Sequence, residues 1–149
     1  MSSPYPEPIS ELVVQDIQAA LEQVPTLTVE REKQGGNAPA RNGLCIVFAG
    51  DTIPEFEKGP DNHDEYVLPV EIVVIAIESE LSGVSVTQRL YGHAADVRRK
   101  LMEDRHRGGF AVNTEFRTDD QLNTTESPAS VLVKAWVRFR TAYGNPYAL

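Results

Sequence analysis

The chain has 149 residues, 41% of them hydrophobic, with 22 acidic and 14 basic side chains and a formal net charge of -8. This length fits one domain with a core of its own, and the acidic balance argues against a dedicated nucleic-acid binder, whose affinity would rest on neutralising phosphates. The single cysteine, Cys45, excludes an intramolecular disulfide and a four-cysteine zinc site, and no apolar run approaches the roughly 20 residues that span a bilayer.

Residues 1–8 carry Pro4, Pro6 and Pro8 and read as an extended arm, without the basic and apolar regions of a signal peptide. A first helix is predicted from about Ile9 to Val24. Ile9, Val13, Ile17, Ala20, Leu21 and Val24 recur at spacings of three and four, Ser10 or a residue just before it caps the start, and Pro25 stops it. Leu27 to Arg31 is a short strand, and Glu32 to Gly43, with Gly35-Gly36 and Pro39, is a loop. Leu44 to Phe48 is a compact apolar strand that places Cys45 in the core as a small buried residue.

Gly50 to Glu65 reads as a long charged loop in which Ile53 and Phe56 stand as isolated apolar residues. A loop of that length in a small domain is functional or disordered. Apolar side chains in such a loop are anchors for a partner, the alternative being that Phe56 folds back on its own core. Tyr66 to Ile77 is the longest strand, apolar almost throughout and so buried on both faces over part of its length. Pro69 has no N–H to give, which places the start of this strand at an edge or a bulge.

A second helix runs from about Val86 to Glu103 with Val86, Leu90, Ala94, Val97 and Leu101 as its core face, and Gly108-Gly109 marks its exit. Phe110 to Arg117 alternates as a half-buried strand, and Thr118 to Pro128 is a polar loop. In the last strand Val131, Val133, Ala135, Val137 and Phe139 alternate strictly with Leu132, Lys134, Trp136, Arg138 and Arg140. The order α-β-β-β-α-β-β gives the α+β class: a mostly antiparallel sheet with two helices on one face, the first three strands pairing as hairpins or a meander. The other face is left to solvent or a partner, and Trp136 points to a partner.

Asp61-Asn62-His63-Asp64-Glu65 is the densest set of metal-ligand types, but it lacks the glycine turn and spaced glutamate of a calcium loop. It reads first as a solvated acidic loop. A small metal-dependent enzyme using His63 is the alternative from a different class, with no second catalytic element beside it. Arg98-Arg99-Lys100 and Arg105-His106-Arg107 form the one basic concentration; cations there complement a helix C-terminus, and Asp96 pairs with Lys100 one turn on. Phosphate binding is the lesser reading. Neither glycine pair has the context of a phosphate loop, and no Gly-x-Ser-x-Gly elbow occurs. His93 lies beside the core stripe as a satisfied surface or half-buried side chain. No catalytic set, metal site or cofactor follows from these residues.

Beyond the last strand comes Tyr143-Gly-Asn-Pro-Tyr147, an aromatic turn that makes residues 142–149 a docking tail. Phe139-Arg140-Thr141 followed by Gly144-Asn145-Pro146-Tyr147 resembles the ending of the tail terminator and tail completion proteins of long-tailed bacteriophages, where an aromatic-Arg-Thr stretch precedes a Gly-Asp-Pro-Tyr-like turn. Asn145 stands where Asp is expected. The order of elements is similar over nearly the whole chain. A first helix ends in a Pro turn, a long loop separates the middle strands, a second helix ends in Asp104 and Gly108-Gly109, and a two-strand ribbon closes the domain.

The resemblance implies a structural virion protein of the tail, assembled in the host cytoplasm, with 1–149 a single tail-terminator-like domain. It implies a ring of six subunits that caps the tail tube, ends its polymerisation and meets the head-side connector, with no cofactor, no membrane and DNA only as passing cargo. Ile53, Phe56, Glu57, Trp136, Arg138, Arg140, Tyr143, Pro146 and Tyr147 are then the candidate contacts with sister subunits, tube protein or connector. An acidic or neutral lumen lets DNA slide rather than grip. Another neck or completion protein of similar fold is the nearest alternative.

Overall fold

The computed structural model describes residues 8–31, 43–56, 63–76, 85–125 and 128–142. Helix α1 spans Ile9–Glu22 and α2 spans Val86–Met102; the strands are β1 (Thr28–Arg31), β2 (Leu44–Ala49), β3 (Ile53–Phe56), β4 (His63–Ala76), β5 (Asn113–Glu115), β6 (Gln121–Asn123) and β7 (Ala129–Ala142). One mixed, mostly antiparallel sheet holds them in the order β1-β2-β4-β7-β5, with β3 also on β4 and β6 also on β7. The α+β class predicted from the sequence is the class observed, with two short strands, β3 and β6, added.

Strands β4 and β7 are paired along their full length, from His63 opposite Ala142 to Ala76 opposite Ala129. Because side chains alternate between faces, this register puts Leu68, Val70, Ile72 and Val74 beside Val137, Ala135, Val133 and Val131, all at most 1% exposed. On this face they share one core with Val13, Val14, Ile17 and Leu21 of α1 and Leu90, Ala94, Val97 and Leu101 of α2. Phe139 stacks on Tyr66 at 5.9 Å between ring centroids and closes one end of the same layer. Both helices therefore lie on one face of the sheet.

Several expectations need correction. Strand β1 runs parallel to β2, not as a hairpin or meander, with Thr28 opposite Leu44 and Arg31 opposite Val47. A parallel pair needs a crossover of a dozen or more residues, and the segment 32–43 has that length. Part of the Gly50–Glu65 loop is strand: β3 pairs with β4 across a bulge, and β4 begins at His63 rather than Tyr66. Pro69 lies in the interior of β4. There β2 ends opposite Val70 and β3 starts opposite Val67, so the missing donor falls at the break between two neighbours. Gly50 crosses that break, its N–H donating to Pro69 O at 2.8 Å, and a Cβ at Gly50 would meet Pro69 Cγ at 2.9 Å.

Helix α1 has Pro8 at its N-cap, with no side-chain cap from Ser10. Phe110 is 38% exposed, and only Asn113–Glu115 of the predicted Phe110–Arg117 strand pairs with β7; Thr114 is its buried residue. Helix α2 opens on a side-chain cap. Ser85 Oγ accepts from Gln88 N at 3.2 Å, and Gln88 Oε1 accepts from Ser85 N at 3.2 Å, a reciprocal capping box. Ser85→Ala is expected to cost ~1 kcal/mol, read as a lower urea midpoint with an unchanged slope; Ser85→Asp should retain most of the stability.

Candidate functional site

The sheet face opposite the helices gathers most of the described candidate residues. Trp136, Arg138 and Arg140 alternate with the buried residues of β7, and Ile53, 47% exposed, pairs with Val67 opposite Arg138. Register places all four on this face. The Phe56 side chain, with Glu57, Tyr143, Pro146 and Tyr147, lies outside the described residues, as do most of the arm at 1–8 and the docking tail at 142–149. The same holds for Asp61, Asn62 and the His63 side chain; Asp64 and Glu65 belong to β4.

Trp136 is held between cations. Lys134 Nζ lies 4.6 Å and Arg117 Cζ 5.2 Å from the indole ring centroid, contacts worth ~0.5–1 kcal/mol each at partly exposed sites. Arg117 Nε donates to Glu115 Oε2 at 3.1 Å, and Arg138 Nη2 lies 3.6 Å from the other Glu115 oxygen. The Arg117 hydrogen bond, aided by the Arg138 charge, holds the Glu115 carboxyl below its ordinary range. Cross-strand pairs continue the pattern: Glu71 to Lys134 at 3.8 Å and Glu65 to Arg140 at 3.4 Å.

The sequence shows β4 apolar on both faces, but not that Ile46 and Phe48 of β2 and Leu132 of β7 extend that apolar surface across the sheet. Ile46 of β2, Val73 of β4 and Leu132 of β7 stand in one row, flanked by Phe48, Ile75 and Trp136. All six are half-buried, and none belongs to the core under the helices. Leu44 and Val67 on the same face are fully buried. The signal lay in β4 itself, whose apolar run continues on both faces where a one-sided strand would alternate.

The basic concentration is engaged within the chain. Arg98 forks onto Asp120, with Nη2 at 2.7 Å, and its guanidinium lies 4.6 Å over the Phe116 ring. Arg99 pairs with Asp96 and Lys100 with Glu103, each at 2.9 Å, so Asp96 takes Arg99 and not Lys100. Arg107 is 1% exposed, with φ 48°; Nη2 donates to Leu101 O at 2.5 Å and to Asp104 O, and Nη1 lies 3.3 Å from Asp16 Oδ2. It borders a cleft of about 330 Å³ between α1 and the exit of α2, whose wall also includes Gln23, Lys100 and Glu103. Burial raises the Asp16 carboxyl above its ordinary value despite Arg107. This cluster ties α1 to the end of α2.

His93 is a buried residue of α2, not a satisfied one: its Nε2 has no hydrogen-bond partner, and desolvation pushes its pKa down. Cys45 is fully buried, its thiol pushed up to about 12 by desolvation, so it stays protonated at neutral pH. Among the described residues, no three His, Cys, Asp or Glu side chains gather as a metal site, and no helix is long and apolar enough to cross a membrane.

The fold and this face define an α+β domain with an apolar, ion-paired sheet surface that neither helix covers. Compared with protein-family models and with curated proteins, the chain matches none.

Proposed function

We propose that the chain is a self-assembling structural subunit of the phage tail terminator type, forming a ring that ends a tail tube and meets the head-side connector. The observation that carries this reading is the convergence of Ile53, Trp136, Arg138 and Arg140 on the sheet face away from the helices. An apolar centre with a charged rim and an aromatic anchor has the composition of an assembly interface. The element order and the Phe139-Arg140-Thr141 ending support the same class.

Purified protein should give ring particles, six-membered on the family's pattern, by native mass spectrometry and negative-stain microscopy. Added to polymerising tube protein, it should shorten the tubes. A chain that stays monomeric at high concentration and leaves tube length unchanged would sink the reading.

A further inference from the structure

Strands β4 and β7 carry their charges in columns. On the helix-free face the charged side chains of β4 are Glu65 and Glu71, and those of β7 are Lys134, Arg138 and Arg140. An acidic column thus lies beside a basic one, with Glu71 level with Lys134 and Glu65 level with Arg140. Within the chain these form loose cross-strand pairs, and Glu71 keeps 44% and Lys134 30% of its side-chain surface. Both retain room for a second partner.

We propose that this face binds a second copy of the chain, sheet to sheet, about a two-fold axis parallel to the strands and midway between β4 and β7. Rotation about that axis carries the acidic column of one copy over the basic column of the other. Glu71 then meets the partner's Lys134, Lys134 meets the partner's Glu71, and Val73 and Leu132 are exchanged in the next row. A two-fold axis across the strands would instead set acid on acid and base on base. Sheets in aligned face contact keep their strand directions within about 30° of each other; both axes satisfy this, and the charge columns choose between them.

Charge selects a second copy as the occupant. The chain carries -8 overall, so most self-contacts bring like charges together. Among the described residues of this face, Glu30, Glu65, Glu71 and Glu115 stand with Arg117, Lys134, Arg138 and Arg140, and Arg105 reaches Asn113 beside them, so self-contact here lacks the acidic excess of the chain as a whole. The apolar row through Ile46, Val73 and Leu132 supplies area to bury, and the columns supply orientation.

The inference rests on the face being an assembly surface, not on ring closure. A two-fold contact is isologous, whereas a ring closes through head-to-tail contacts. Sedimentation velocity on the full chain tests it with Glu71→Lys and Lys134→Glu made separately. Each variant alone sets like charges across the axis and should weaken pairing at least tenfold. Mixed together, they should pair again, because the two lysines of one face the two glutamates of the other. The double variant E71K/K134E should self-associate like the parent chain and controls for folding, together with circular dichroism.

Leu132→Arg should abolish pairing in every combination. Folded single variants that pair as well as the parent, or a mixture no better than its components, would overturn the proposal. So would a parent chain with no two-fold species. Rings that persist through all these variants overturn this contact and leave the ring reading standing; pairs without rings do the reverse.

Discussion

Arg107→Ala is expected to lower the unfolding free energy by ~3 kcal/mol, the lower end of the ~3–5 kcal/mol for removing one partner of a buried ion pair; the contact with Asp16 is a charge pair at 3.3 Å without a hydrogen bond. Arg107 is 1% exposed, and its Nη2 donates to the Leu101 and Asp104 carbonyls where α2 ends, while Nη1 faces Asp16 of α1. Alanine leaves two carbonyls short of a donor and a carboxylate without its cation. The Asp16 side chain keeps 28% of its surface, so water replaces part of that interaction and holds the cost near the lower end.

Arg107→Lys keeps the charge but not the planar fork, and should recover only a minor part of the loss. The measurement is urea denaturation at neutral pH. A loss below ~1 kcal/mol, within the ordinary effect of a single substitution, would show that the clamp does not hold α1 to the end of α2.

Gly43→Ala is expected to cost roughly 3 kcal/mol or more and to loosen β1 selectively. Gly43 sits at φ 78°, and a Cβ there would lie 2.2 Å from the Thr26 carbonyl oxygen, a backbone atom that cannot swing aside. The left-handed conformation alone costs about 1–2 kcal/mol for a residue with a Cβ. Relieving the clash must also disturb the hydrogen bonds from Thr28 N to Gly43 O at 2.9 Å and from Gly43 N to Ile75 O at 2.8 Å. Those two bonds tie the start of β1 to the end of β4 through one residue. Amide exchange should show Thr28 to Arg31 losing protection while β7 keeps it. Uniform loss across the sheet would mean the turn is part of the global unfolding unit.

Local periodicity by itself determined much of this protein. The spacing of Ile9, Val13 and Ile17, and of Leu90, Ala94, Val97 and Leu101, identified both helices and their buried faces. The strict alternation from Val131 to Arg140 identified the last strand and which residues it buries. These patterns are legible because each helix or strand must turn its own apolar side chains to one side, whatever it packs against. Trp136, Arg138 and Arg140 were placed on the other side of β7 by the same alternation.

Only the tertiary structure decided the rest. Strands β3 and β6 lie within charged and polar segments that read as loops, and they exist because β4 and β7 offer them a pairing partner. The parallel course of β1 depends on the crossover before β2, and the level of Glu71 with Lys134 depends on a register between strands far apart in the chain. Arg107 has the sequence context of a solvated helix-end cation and is buried because Asp16 and two carbonyls converge on it from elsewhere. Register, strand direction and the pairing of buried charge are set by contacts between distant segments, and a pattern local to one segment carries no record of the partner it will meet.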